Sequence, residues 1–182
     1  MRYFSFLLTI FIVTISVSYG ATHRDGTVII VENGFLSRPI TKITGSGKCH
    51  CAIILYQGGQ PWVYEATLPH VRKMPLVDYQ KWLEQRRLRC MSRGLTNRSI
   101  YYRQPKTPYT VEQLARMKIY AESQLGRKYM MRGYWKQRKV RGTHCSQFVS
   151  EVIAQSYRIQ SDGSKETPRS LDEKIENISL AL

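Results

Sequence analysis

The sequence predicts an α+β fold built on an antiparallel sheet. Short β-branched runs bounded by turn residues fill the first part of the chain, and a glycine hairpin joins two of them. Two amphipathic helical patterns follow in the second half. Strands grouped early and helices grouped late favour a sheet covered by helices over alternating βαβ units.

Thr27 to Glu32 (TVIIVE) reads as a strand ending at the Asn33-Gly34 turn signal. Leu36 to Thr44 suits a short helix closed by Gly45-Ser46-Gly47. Cys49 to Tyr56 and Pro61 to Thr67 then flank Gln57-Gly58-Gly59-Gln60, the clearest hairpin in the chain. Val71 to Leu76 adds a strand, Val77 to Arg89 a helix, and Ser99 to Arg103 another strand. Thr110 opens a helix with a T-x-x-Q capping box, Thr110 and Gln113, and Gly126 offers a left-handed close. From Cys145 onward, Cys145, Phe148, Val149, Val152 and Ile153 form one apolar stripe, with Thr143 as a candidate cap. A last short segment starts at Thr167-Pro168.

Arg2, the fifteen uncharged residues Tyr3 to Val17, and small residues Ser18 and Gly20 before Ala21 together read as a secretory signal peptide. That apolar run is short against the ~20 residues of a membrane span, although an uncleaved anchor is the alternative. The expected division is residues 1–20 as signal and 21–182 as one domain, secreted or periplasmic. At 42% hydrophobic and 23% charged residues the chain is neither disordered nor a polytopic membrane protein. From Ala66 to Arg141 there are 19 Lys+Arg and 4 Asp+Glu, while the remainder holds 9 of each. The whole surplus of +15 therefore sits in mid-chain, a field suited to anionic polymer or a membrane surface.

Cys49, Cys51, Cys90 and Cys145 invite two disulfides in an exported chain. Cys49 and Cys51, two apart on a strand, share a face and do not readily bridge each other. If one of them pairs with Cys90, two thiols remain for chemistry. With Gly58-Gly59 as the turn, paired positions sum to 117, so His50, Ala52, Glu65 and Thr67 share one side of the sheet. His50 and Glu65 are then diagonal neighbours, close enough for the carboxylate to orient the imidazole; a slip of one residue would separate them. Cys145 falls at a helix start, where backbone N–H groups stabilise a thiolate. Thiolate, imidazole and carboxylate are the parts of a cysteine hydrolase. Each also has a plainer reading: a buried structural cysteine, a core histidine and a hairpin surface charge. Consecutive strand residues cannot converge on one ion, so Cys49-His50-Cys51 is not expected to bind metal. Phosphate-binding loops and GxSxG elbows are absent, so no nucleotide cofactor is expected, nor any other.

Three segments carry a resemblance: GFLSRPITKITGSGKCHCAIILYQGGQPWVYEAT, LGRKY and GTHCSQFVSEVI. Together they resemble the circularly permuted papain-like hydrolases, the YiiX-like branch of the NlpC-type superfamily, which is related to the lecithin–retinol acyltransferase group. The order, histidine first and cysteine last, is the permuted one. The resemblance implies a permuted papain-like fold with Cys145 as nucleophile, His50 as general base and Glu65 as the third polar member. Tyr129, in LGRKY, would lie near the substrate. Where members usually carry Cys-Ser-Glu, this chain has Cys145-Ser146-Gln147.

The expected function is a secreted thiol hydrolase, amidase or peptidase, cleaving a peptide amide of peptidoglycan or, second, a lipid ester. The alternative is a basic exported binding protein of the same fold. Arg127, Lys128, Arg132, Lys136, Arg138, Lys139 and Arg141, interleaved with Tyr129, Tyr134 and Trp135, would then hold polyanions or lipid headgroups.

Overall fold

Residues 23–32, 46–92, 99–130, 142–158 and 167–178 are described by a computed structural model. They form a mixed α+β fold. Five strands, β1 (Val28–Glu32), β2 (Lys48–Gln57), β3 (Gln60–Ala66), β4 (Val71–Pro75) and β5 (Ser99–Arg103), pair antiparallel in the order β4-β3-β2-β1-β5. Four helices accompany them: α1 (Leu76–Met91), α2 (Val111–Ser123), α3 (Cys145–Ser156) and α4 (Pro168–Ile178). The expected signal segment 1–20 and the helix over 36–44 lie outside the described residues. No described helix is long and apolar enough to cross a membrane.

The sheet is buried on both faces, which is why TVIIVE and CAIIL read as continuous apolar runs rather than alternations. On one face Val28, Ile30, Cys51, Ile53, Leu55 and Tyr64 pack with Met117 and Ala121 of α2, Phe148, Val149 and Val152 of α3, and Leu171 of α4. On the other, Ile29, Val31, Cys49, Ala52, Ile54 and Val63 pack with Tyr79 and Leu83 of α1 and with Leu76 at its start. The β2–β3 turn takes positive φ at Gly58 (56°) and Gly59 (78°), the pair of left-handed positions a two-residue hairpin requires.

α2 begins as the capping box demands, with Thr110 Oγ1 accepting from the Gln113 N–H and Gln113 Oε1 accepting from the Thr110 N–H. It ends at Ser123, however, and Gly126 (φ 80°) donates its N–H to the Val71 carbonyl, tying the exit of α2 to β4 instead of closing the helix. At the start of α4, Thr167 Oγ1 accepts from the Ser170 N–H while Ser170 Oγ accepts from the Thr167 N–H.

Asp172 fastens α4 to the sheet. Its carboxylate is buried, at 1% exposure, and is met by Arg103 Nε at 2.6 Å and by Lys48. Burial alone would raise its pKa, but the hydrogen bonds and charges of Arg103 and Lys48 outweigh it and hold the carboxyl below its usual range. A depressed folded-state pKa adds stability that is present above the unfolded value of about 4 and lost as pH falls through the folded one. Asp172→Asn should cost about 1–3 kcal/mol near neutral pH, discounted for the partly solvated cations. Melting temperatures should converge with the parent protein in acid, where the parent carboxyl is also neutral.

Candidate active site

Two departures from regular strand geometry shape the region around His50. The β2–β3 ladder runs from Gln57↔Gln60 to Ile53↔Tyr64, the predicted sum of 117, and stops there. Beyond that point β2 continues along β1 to Lys48, and β3 continues along β4 to Ala66. The two central strands thus part at the level of Ala52 and Glu65. The second departure is a register shift against β1: Val31 pairs with His50 but Glu32 with Lys48, leaving Cys49 as an extra residue. Such a bulge interrupts side-chain alternation and re-aims its neighbours. Cys49 consequently packs on the α1 face, with its thiol donating to the Val31 carbonyl at 3.4 Å, while Cys51 packs on the α3 face. The expectation that Cys49 and Cys51 share a face is corrected by this bulge.

His50 Nε2 lies 2.6 Å from Glu65 Oε2. Glu65 is fully buried, and its other oxygen, Oε1, accepts from Arg72 Nε at 2.8 Å and Nη2 at 2.6 Å. Tyr79, in the first turn of α1, adds its hydroxyl to Oε2 at 3.3 Å. Burial works against the carboxylate, but the His50 hydrogen bond and charge, followed by those of Arg72, hold its pKa below the usual range. The His50 side chain keeps 19% of its surface exposed, so one edge of the ring still reaches solvent.

Cys145 is the first residue of α3, buried at 5% exposure. The helix is capped not by Thr143 but by His144, whose Nδ1 accepts from the Gln147 N–H at 3.2 Å. An imidazole reaches the third amide where the shorter threonine was expected to serve. Thr143 instead pairs with the 128–130 segment: its N–H donates to the Lys128 carbonyl and its own carbonyl accepts from the Met130 N–H, both at 3.0 Å. A Cβ on the intervening Gly142 would come within 2.2 Å of Met130 Cγ, so only glycine lets these chains meet. This pairing sets Tyr129 beside the start of α3, half-buried against the same core.

The Cys145 thiol is in hydrogen-bonding contact with both Cys51 and His50. Nε2 is held by Glu65. The Cys51 contact lowers the Cys145 pKa most; burial opposes it, and the His50 hydrogen bond and the charges of His50 and His144 complete a shift well below the ordinary thiol range. For His50, burial disfavours the cation, but hydrogen bonds to Cys145 and Glu65 outweigh it and raise the pKa to about 10. Cys51 moves the other way: burial and the neighbouring Cys145 push it well up, so it stays a thiol. Burial and the same Cys145 charge raise Tyr129, which keeps its phenolic proton. The site thus alternates in charge, from Arg72 through Glu65 and His50 to the Cys145 sulfur.

The sequence-predicted residues His50, Glu65, Cys145 and Tyr129 are therefore brought into one cluster. Arg72, Tyr79 and Cys51 are additions. Arg72 had a legible signal, since it lies directly across from Glu65 on β4 as an opposite charge. None of the four cysteines is in a disulfide, so neither of the two bridges that their even count invites is formed. Among the described residues, no three His, Cys, Asp or Glu side chains converge to hold a metal ion. Of the basic-aromatic segment, 132–141 lies outside the described residues, and Arg127 is engaged by Glu151 at 2.7 Å. A cavity walled by Val28, Arg103, Tyr109, Ile153 and Tyr157 sits at the far end of α3 and takes no part in the cluster.

No family model matches the sequence, and no curated protein does. Among solved structures, the fold is similar to the crystal structure of the metalloprotein YiiX from Escherichia coli O157:H7, with a TM-score of 0.57 at 21% identity. The match covers 75% of this chain and 68% of that one. The chain has a YiiX-like fold. That protein is named as a metalloprotein; among the described residues of this chain the donors do not fit a metal, since His50 and Glu65 bind each other.

Removing Arg72 tests the buried carboxylate. Arg72→Ala leaves Glu65 with His50 as its single cationic partner, and the expected cost is about 2–3 kcal/mol, reduced by the partial exposure of the arginine. Denaturant unfolding should show it, and Glu65→Gln in the Arg72→Ala background should recover part of the loss.

Proposed function

We propose that the protein is a cysteine hydrolase that cleaves an amide or ester through an acyl-enzyme. The observation that carries the reading is the contact of His50 with Cys145 at the start of α3 while Glu65 holds the opposite side of the ring at 2.6 Å. The Cys145 thiolate attacks the substrate carbonyl carbon and the carbonyl electrons move to oxygen. The N–H of Cys145 is at the first helical position, where no helix carbonyl can accept it, and it is the donor offered to the developing oxyanion. Tyr129, protonated and adjacent, is a second donor or a wall for the substrate. His50, as imidazolium, gives its proton to the leaving group and then takes one from the water that releases the acyl group. Glu65 fixes the ring's orientation, and Arg72 fixes Glu65.

The permuted papain-like resemblance supports the same assignment, since it names these residues in this order. Export, by the N-terminal segment, and the basic mid-chain favour a substrate in a polyanionic setting outside the cytoplasm. A peptide amide of peptidoglycan is our first substrate, and a lipid ester the second. The binding-protein reading is less favoured, because Arg127 is already committed to Glu151.

Incubation with peptidoglycan fragments and with phospholipids should yield turnover and an acyl adduct on Cys145 by mass spectrometry. Cys145→Ala and His50→Ala should abolish turnover with circular dichroism unchanged, and Glu65→Gln should lower kcat by about a hundredfold or more. Full activity in either of the first two variants would refute the proposal. Because catalysis needs the thiolate and the imidazolium together, kcat/KM should rise in acid as Cys145 ionises and fall again towards pH 10 as His50 loses its proton.

A further inference from the structure

Cys51 favours the Cys145 thiolate but makes and breaks no bond in the hydrolysis, and it is completely buried beside that sulfur. It has no exposed surface, shares the core on the α3 face with Cys145, and makes hydrogen-bonding contact with the Cys145 thiol. The other two cysteines are placed elsewhere: Cys49 is turned to the α1 face by the bulge and bonded to Val31, and Cys90 lies on α1.

We propose that Cys51 is a resolving thiol, and that Cys51 and Cys145 form a reversible disulfide which shuts the site when a hydroperoxide reaches it. The inference rests on the reading of Cys145 as a reactive thiolate, and not on turnover of any substrate. In the first step the Cys145 sulfur attacks one peroxide oxygen. An S–O bond forms, the O–O bond breaks, and the departing oxygen leaves as water or alcohol after taking a proton, giving a sulfenic acid. In the second, the Cys51 sulfur attacks the Cys145 sulfur. The S–S bond forms as the S–O bond breaks, and the Cys51 proton leaves with the hydroxyl group as water. Two electrons pass from the thiol pair to the peroxide. Proximity protects the nucleophile, since a sulfenic acid with a thiol alongside is captured before it can pass to the irreversible sulfinic acid.

The test treats the reduced full-length protein with hydrogen peroxide, quenches it with N-ethylmaleimide under denaturing conditions, and maps the peptides without reduction. The expected result is one linked pair containing Cys51 and Cys145, with loss of rapid Cys145 alkylation. Dithiothreitol should restore both thiols and the reactivity. In Cys51→Ser, Cys145 should go on to sulfinic and sulfonic acids that dithiothreitol does not reverse. Accumulation of Cys145 sulfinic acid in the parent protein without the linked pair, or a link to Cys49 or Cys90, overturns the inference. The parent protein alone decides this, whatever the variant's stability. A linked pair in a protein that hydrolyses nothing supports the switch and rejects the hydrolase; turnover without a linked pair does the reverse.

Discussion

Glu65 has no exposed surface, and an ionised carboxylate in such a place is tolerated only when its neighbours replace the lost water. Arg72 and Tyr79 supply part of that replacement and His50 supplies the rest. Removing the charge would leave the guanidinium and the imidazole facing each other across a neutral group. The carboxylate therefore both favours a cation at position 50 and fixes the Nε2 edge of the ring. The orientation of the imidazole follows from that one buried charge, and the lowered pKa of Cys145 then draws on the Cys51 contact first and on that imidazole second.

The fold delivers the partners from both sides of the sheet, which flat strands cannot do. Glu65 and Tyr79 belong to the α1 side, Cys145 and Cys51 to the α3 side. They meet because β2 and β3 separate beyond Ile53 and Tyr64, and because the bulge at Cys49 turns the chain where His50 leaves the regular ladder. Loss of ladder hydrogen bonds at this level is the structural cost of letting side chains from opposite faces touch. The two outer pairings, with β1 and with β4, hold the separated ends in place.

Much of this was legible in the sequence. The Gly58-Gly59 turn fixed the hairpin register to the residue, and the Cys145 to Ile153 stripe gave the helix and the face it buries. Hairpin register also put His50 and Glu65 on a common side. What escaped were events that local pattern does not encode. The bulge at Cys49 reverses the alternation that makes Cys49 and Cys51 look equivalent, so local pattern does not mark Cys51 as a neighbour of Cys145. The opposite charge of Arg72 becomes a signal only once β4 is paired with β3, which sets it across from Glu65. The His144 cap was missed because threonine is the commoner capping residue, and Thr143 is drawn off by its pairing with Lys128 and Met130.

The pH dependence of Cys145 alkylation by iodoacetamide reads directly whether this sulfur is ionised beside an imidazole that Glu65 holds in place. In the reduced protein, rapid alkylation should persist well below neutral pH, and His50→Ala should move the onset up towards the ordinary thiol range of about 8.5. A parent Cys145 that reacts only at alkaline pH, with the same profile in His50→Ala, would contradict it.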